Sequence, residues 1–246
     1  DKLSFQITRK FLDASPLALN RAIFQRIQAP YKLSGVYAGR TDEVHPKTLA
    51  QVFKQHCVRV QGQADIVVMG LAHISPYNVD AVMNPILVMC LGLGYMFNFY
   101  RQKPLARPGG VIIFLHPVEY KFKAAYHLSY IDFFEEVLTQ TTEPSEIESK
   151  YENAYAHNER YIRAYRFGHS YHGVHPFYMW YWGAQGLRHF SRVIFVNPSS
   201  REAVQRMGFE TVSNLRDAID TARDSLGANA SITYHRVPPI SMCDVE

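Results

Sequence analysis

At 246 residues the chain is long enough to bury a substantial core, as one large domain or a domain with an appendage, and its 47% hydrophobic, 20% charged make-up is that of an ordinary globular protein. A net charge of +4 and a pI near 8.9 come from scattered Lys and Arg, not from basic runs interleaved with stacking aromatics. A nucleic-acid partner is therefore not expected.

Residues 1–33 carry no strand pattern. Pro16 and Pro30 bracket a helical pattern from Leu17 to Ile27, read as a connector or the remnant of a preceding domain. The opening Asp-Lys-Leu-Ser-Phe-Gln lacks a signal pattern, and the start on Asp1 suggests a fragment or processed product. From residue 34 to 246, strand-like runs alternate with helix-length segments. The expected strands are Gly35 to Ala38, Asp65 to Met69, Val111 to Leu115, Val193 to Val196 and Ile232 to His235, and several are continuous apolar runs. Helices are expected over about 42–56, 84–100, 125–139, 145–165, 176–190, 199–206 and 213–226, with a polar loop at 140–150.

Boundary chemistry supports several of these. Asn84-Pro85 reads as a cap followed by Pro at the first helical position. Pro198-Ser199-Ser200-Arg201-Glu202 offers a serine cap with an acid three residues on, and Gly208 and Gly227 stand where helices should stop. Pro85 to Phe97 is the most apolar stretch, too short for the roughly 20 residues that span a bilayer, so a buried helix is expected and no membrane association. Cys57, Cys90 and Cys243 lack metal-type spacing and fit free thiols in a reducing, cytoplasmic setting. The expected fold class is α/β: a Rossmann-like three-layer domain with a mostly parallel sheet, plus an N-terminal helical connector.

Several residues invite a chemical reading. His73 and His116 each follow an apolar strand at its carboxyl end, where open parallel sheets bind ligands and an imidazole can move protons near neutral pH. A surface-loop role is the competing reading. His169, His172 and His175 repeat every three residues in an aromatic-rich segment, with His157 upstream. Metal binding, a substrate pocket and a hydrogen-bonded aromatic wall all remain open for them, although Gly168, Gly173 and Pro176 make the segment a loop running into a helix. Asp80 reads first as a cap in the turn before a helix, with a ligand-partner role as the alternative. Cys90-Leu91-Gly92-Leu93-Gly94-Tyr95 imitates a dinucleotide fingerprint, but lies inside a helical run and lacks the third glycine, so close helix–sheet packing is expected.

Four stretches together carry a resemblance: Gly35-Val36-Tyr37-Ala38-Gly39-Arg40-Thr41-Asp42-Glu43-Val44-His45; Ala64 to Gly70 with Pro76-Tyr77-Asn78; Arg107-Pro108-Gly109-Gly110-Val111-Ile112-Ile113; and Arg192 to Val196 followed by Arg206-Met207-Gly208-Phe209-Glu210. In order and spacing, over residues 35–236, they resemble the carboxy-terminal domain of nickel-dependent lactate racemases. That resemblance implies a two-domain protein with the active site between the halves: an amino-terminal domain holding a nickel pincer nucleotide through Lys and His, and this domain closing over the substrate. The histidine-rich motifs of the first half are not found in these residues. No cofactor is then expected on this chain alone, and a nickel pincer nucleotide would belong to a preceding domain or separate subunit. The family's substrate loop carries Tyr, Gln and Lys where this chain has Asp80, Ala81 and Asn84. A lysine pairing with a carboxylate has no substitute in a neutral amide, so lactate itself is disfavoured. Trp182-Gly183-Ala184-Gln185 keeps the family's Trp-x-x-Gln, and Gly173-Val174-His175 a Gly-x-His, which makes His175 the preferred histidine of its group.

The resulting expectation is a substrate-capping domain of a racemase- or epimerase-like protein acting on a 2-hydroxy acid or related hydroxyl compound. Its substrate-binding candidates are His73, Tyr77, Asp80, Asn84, His116, His175, Trp182 and Gln185, with no metal ligands and with homo-oligomers allowed. A noncatalytic domain of the same fold and a methyltransferase, suggested by Pro108-Gly109-Gly110 before an apolar strand, are the alternatives.

Overall fold

The protein is described by a computed structural model covering residues 7, 11–12, 14–26, 32–73, 83–168, 170–236 and 241–246. The chain divides into two compact units, Asp1–Lys54 and Gln55–Glu246. In the first, helix α1 (Leu17–Phe24) follows Pro16, as the proline-bracketed pattern predicts. Helix α2 (Thr41–His56) opens with Asp42 and Glu43 in its first turn, where negative charge suits the helix dipole. The expected strand Gly35 to Ala38 does not form: 32–38 are irregular, and Val36 is 79% exposed. A strand needs a hydrogen-bonded neighbour, and this stretch has none among the described residues.

The second unit is built on a five-stranded, all-parallel sheet: β2 (Ala64–Gly70), β3 (Ala106–Leu115), β4 (Arg192–Val196), β5 (Glu210–Val212) and β6 (Ile232–His235), in the order β5-β4-β3-β2-β6. A separate parallel pair joins β1 (Cys57–Val60) to β7 (Met242–Val245). From β2 to β5 the chain steps in one direction across the sheet, then returns to the far edge for β6. Right-handed crossovers therefore place the earlier helices on one face and the last helix on the other. The core divides accordingly. Val67, Met69, Ile112, Phe114, Val193 and Phe195 pack into the larger cluster, whereas Ile66, Val68, Val111, Ile113 and Ile194 face the small Ala218 and Ala222 of the last helix. The side-chain alternation of strands produces this split, and the result is a Rossmann-like three-layer α/β domain.

On the larger face lie α3 (Pro85–Met89), passing into π-helical turns at Cys90–Met96; α4 (Leu128–Asp132), extended likewise by Phe133–Val137; α5 (Pro144–Ile147), α6 (Asn153–Ala156) and α7 (Glu159–Gly168); α8 (His175–Trp182) and α9 (Ala184–His189); and α10 (Arg201–Arg206). Helix α11 (Leu215–Leu226) covers the other face. The glycines of the fingerprint-like run are packing devices. A Cβ on Gly92 would lie 2.7 Å from the Phe114 ring and one on Gly94 2.7 Å from Trp182. The cap of α10 is Ser200, which accepts from Ala203 N, and Glu202 turns to Arg206 instead of back to the cap, so the cap falls one residue later than expected and the box does not close.

The Arg-Pro-Gly-Gly stretch is a bulge. Ala64 pairs with Ala106 and Ile66 with Val111, leaving 107–110 opposite the lone Asp65. Gly109 takes φ 74, and a Cβ on Gly110 would sit 2.7 Å from the Asp65 carbonyl. The bulge lies at the amino edge of the sheet, opposite the edge where such sheets bind ligands.

Candidate functional site

The direction of the strand order reverses between β2 and β6, so the crevice expected of this sheet lies beyond their carboxyl ends. At that rim the structure brings His73 and His116 together. His73 Nδ1 and His116 Nε2 are 3.1 Å apart, one ring exposed and the other buried. His116 Nδ1 accepts the backbone N–H of Val118 at 3.0 Å. Burial, and secondarily the neighbouring His73, lowers the pKa of His116 from 6.5 to about 4, so its imidazole is neutral at physiological pH.

The rim is also where backbone strain collects. Val118, fully buried, adopts φ 30, and Asn197, just past β4, adopts φ 45. A β-branched residue in the left-handed region is costly and persists only where its surroundings over-determine it. Here the N-terminus of α10 does so: Ser199 N donates to Pro117 O at 2.5 Å and Ser200 N to Val118 O at 3.0 Å.

A second cluster forms where the segment after β3 enters α4 and the segment after α7 enters α8. Tyr130 Oη and His175 Nδ1 are 2.6 Å apart. Tyr171 stacks on both His175 and His127, with centroids at 4.8 and 5.5 Å. His127 Nδ1 accepts from Lys123 N, while its buried Nε2 has no hydrogen-bond partner among the described residues. Both histidines are lowered to about 4, chiefly by burial, with Lys123 and then His175 adding to the effect on His127, and His172 to that on His175.

The other expected residues distribute as follows. Asn84 caps α3 through Leu87 N, and its buried Nδ2 has no partner among the described residues. Tyr77 and Asp80 lie outside the described residues, as does His169. Trp182 and Gln185 are not brought to the histidines. α8 starts at His175 and leads through α9 to the amino end of β4, so Trp182 lies about 10 Å further along the helix axis. It stacks on Tyr95 at 5.2 Å, and Gln185 donates to Tyr100 Oη at 3.0 Å. Val118, His127, Tyr130 and Tyr171 were not singled out from the sequence. His127 and Tyr130 fall inside an expected helix with nothing to mark them, and no residue pattern announces a valine at positive φ. Among the described residues no group of three or more His, Cys, Asp or Glu is placed to hold a metal ion, and no helix is long and apolar enough to cross a membrane.

This geometry defines an open, parallel α/β domain with a polar site at its carboxyl rim. No family profile matches the chain, and no curated protein sequence matches it. Among solved structures the chain is similar to the lactate racemase apoprotein from Thermoanaerobacterium thermosaccharolyticum, at 18% identity and a TM-score of 0.48, over 85% of this chain and 42% of that one. The likeness is distant, and the chain spans less than half of that racemase.

Proposed function

We propose that this chain is the substrate-facing domain of a racemase- or epimerase-like protein acting on a 2-hydroxy acid or related hydroxyl compound other than lactate. The observation that carries the reading is the His73–His116 pair, set at the carboxyl ends of adjacent parallel strands beside the sheet's switch point. The described residues do not fit a nickel site: the nearby imidazoles are engaged with Val118, with each other and with Tyr130. A nickel pincer nucleotide would be held by a preceding domain or a separate subunit. This chain's part is to bind and orient the substrate and to exclude water.

The test is a titration of the chain with a panel of 2-hydroxy acids, followed through the carbon-bound ring protons of its histidines. Saturable shifts at His73 and His116 are expected with at least one acid. Silence of both across the panel would sink the reading. A noncatalytic ligand-binding domain is the second reading, favoured by Asp80, Ala81 and Asn84 standing where the family has Tyr, Gln and Lys. Hydrogen-isotope exchange at the hydroxyl-bearing carbon, measured on the assembled protein, separates the two.

A further inference from the structure

The hydrogen bonds around His116 fix more than its position. A backbone N–H can only donate, so the bond from Val118 N leaves His116 Nδ1 bare. The neutral ring then carries its proton on Nε2, the atom 3.1 Å from His73 Nδ1. His73 Nδ1 must accept that proton, which puts the proton of His73 on its own Nε2. Among the described residues nothing accepts from that atom, and the ring is exposed.

We propose that the outward end of the pair is a permanent hydrogen-bond donor, His73 Nε2–H, held in that tautomer by the Val118 backbone acting through His116, and that it recognises an electron-rich ligand oxygen, carboxylate or carbonyl, instead of taking a proton from a hydroxyl. The proposal deepens the rim-site reading and rests on it for the ligand, but not for the tautomer. Val118 is a positioning residue. Its N–H points at His116, and the bonds from Ser199 and Ser200 to the Pro117 and Val118 carbonyls hold the loop in that geometry. A valine side chain is not required for this, whereas a backbone N–H at that position is. The pair thus differs from a base–acid relay, in which the outward nitrogen would have to be bare.

The decisive experiment uses the unliganded chain with nitrogen-15 in its histidine rings, correlating ring nitrogens with carbon-bound protons at neutral pH. Both His73 and His116 should show a bare Nδ1 and a protonated Nε2. A protonated Nδ1 on either ring of the neutral pair would overturn the lock, whatever the ligand results. In His116→Phe, which keeps a buried ring but removes the donor, His73 should relax to a mixture of tautomers, and affinity for the best 2-hydroxy acid should fall about tenfold, the usual cost of one hydrogen bond. The diol analogue of that acid should bind the parent chain at least about tenfold more weakly than the acid by the same reckoning. Equal binding of acid and diol would overturn the recognition half of the proposal. If His116→Phe does not fold, the tautomers of the parent chain and the acid–diol comparison still decide it. A panel that binds nowhere on the rim would instead overturn the functional reading and leave the tautomer result standing.

Discussion

The two rims of the sheet treat their polar groups in opposite ways. At the amino rim Asp65 accepts from Arg107 at 2.5 Å and from the backbone and hydroxyl of Ser231 at 2.7 Å each, tying together the starts of β2, β3 and β6. Those partners, the Ser231 hydroxyl first and Arg107 next, draw its pKa from 3.8 down to about 2. All of the groups involved are satisfied, and the cluster has a structural explanation. At the carboxyl rim, by contrast, valine stands at positive φ and a buried imidazole is kept neutral; in the aromatic cluster a buried ring nitrogen has no partner among the described residues. A shifted pKa alone therefore does not locate a site in this molecule. A shift joined to strain and to an unused hydrogen-bonding atom does.

Acid should separate the two regions, and this is the largest effect expected. His116, His127 and His175 have folded pKa values near 4 against 6.5 for an ordinary imidazole. As pH falls from 6.5 toward 4 the unfolded chain takes up protons that the folded chain refuses, so stability is lost across that window, by about 4 kcal/mol in sum once relaxation and water entry around the protonated rings are allowed for. Asp65 behaves differently. Its folded pKa is depressed, so its contribution is complete above 3.8 and disappears only as pH falls toward 2. Urea midpoints measured stepwise from pH 7 to 2 should show the imidazole phase first. A flat profile between 6.5 and 4 would contradict neutral burial of the three histidines.

Next in size are breaks at the amino rim. Gly110→Ala would set a methyl group against the Asp65 and Arg107 carbonyls, at 2.7 and 3.0 Å, with only backbone available to yield. It should cost about 3 kcal/mol, read as a lower urea midpoint with the histidine resonances of the carboxyl rim unmoved. Asp65→Asn keeps an acceptor for Ser231 but removes the charge opposite Arg107, and should cost about 1 kcal/mol at neutral pH, discounted because both side chains are partly exposed. As pH falls toward 2 the difference between the substituted and parent chains should shrink, because the parent's carboxylate is then about half protonated.

The same contrast explains what could be read from the sequence. β2, β3 and β4 were legible as continuous apolar runs, which only a doubly covered strand requires, whereas β6, an edge strand with Ile232 and Tyr234 exposed, was legible from its β-branched and aromatic residues. Glu210–Val212 escaped notice as three half-buried residues behind the Gly208 turn, and β1 and β7 because Arg59 and Asp244 interrupt runs of only four. Gly35 to Ala38 has strand-like composition but no neighbour, and composition does not supply one. His73 and His116 were legible for a positional reason, each standing just past an apolar strand. Their contact was not, since it depends on the β2–β3 register. Trp182 and Gln185 were grouped with them by resemblance, but their helix carries them toward Tyr95 and Tyr100. Val118 was illegible in principle: its side chain disfavours the conformation that the loop imposes.

That last residue yields the finest test of the comparison. An ordinary fully buried valine replaced by glycine loses its apolar burial and gains backbone entropy when unfolded, together costing about 3 kcal/mol. At Val118 glycine also relieves the left-handed strain, worth about 1–2 kcal/mol, so Val118→Gly should cost only about 1–2 kcal/mol. The backbone N–H remains, and the tautomers of His73 and His116 should be unchanged. If the substitution costs the full amount of an unstrained site, the strain at the carboxyl rim is not real; if the tautomers change while the chain stays folded, the loop and not its N–H was holding the pair.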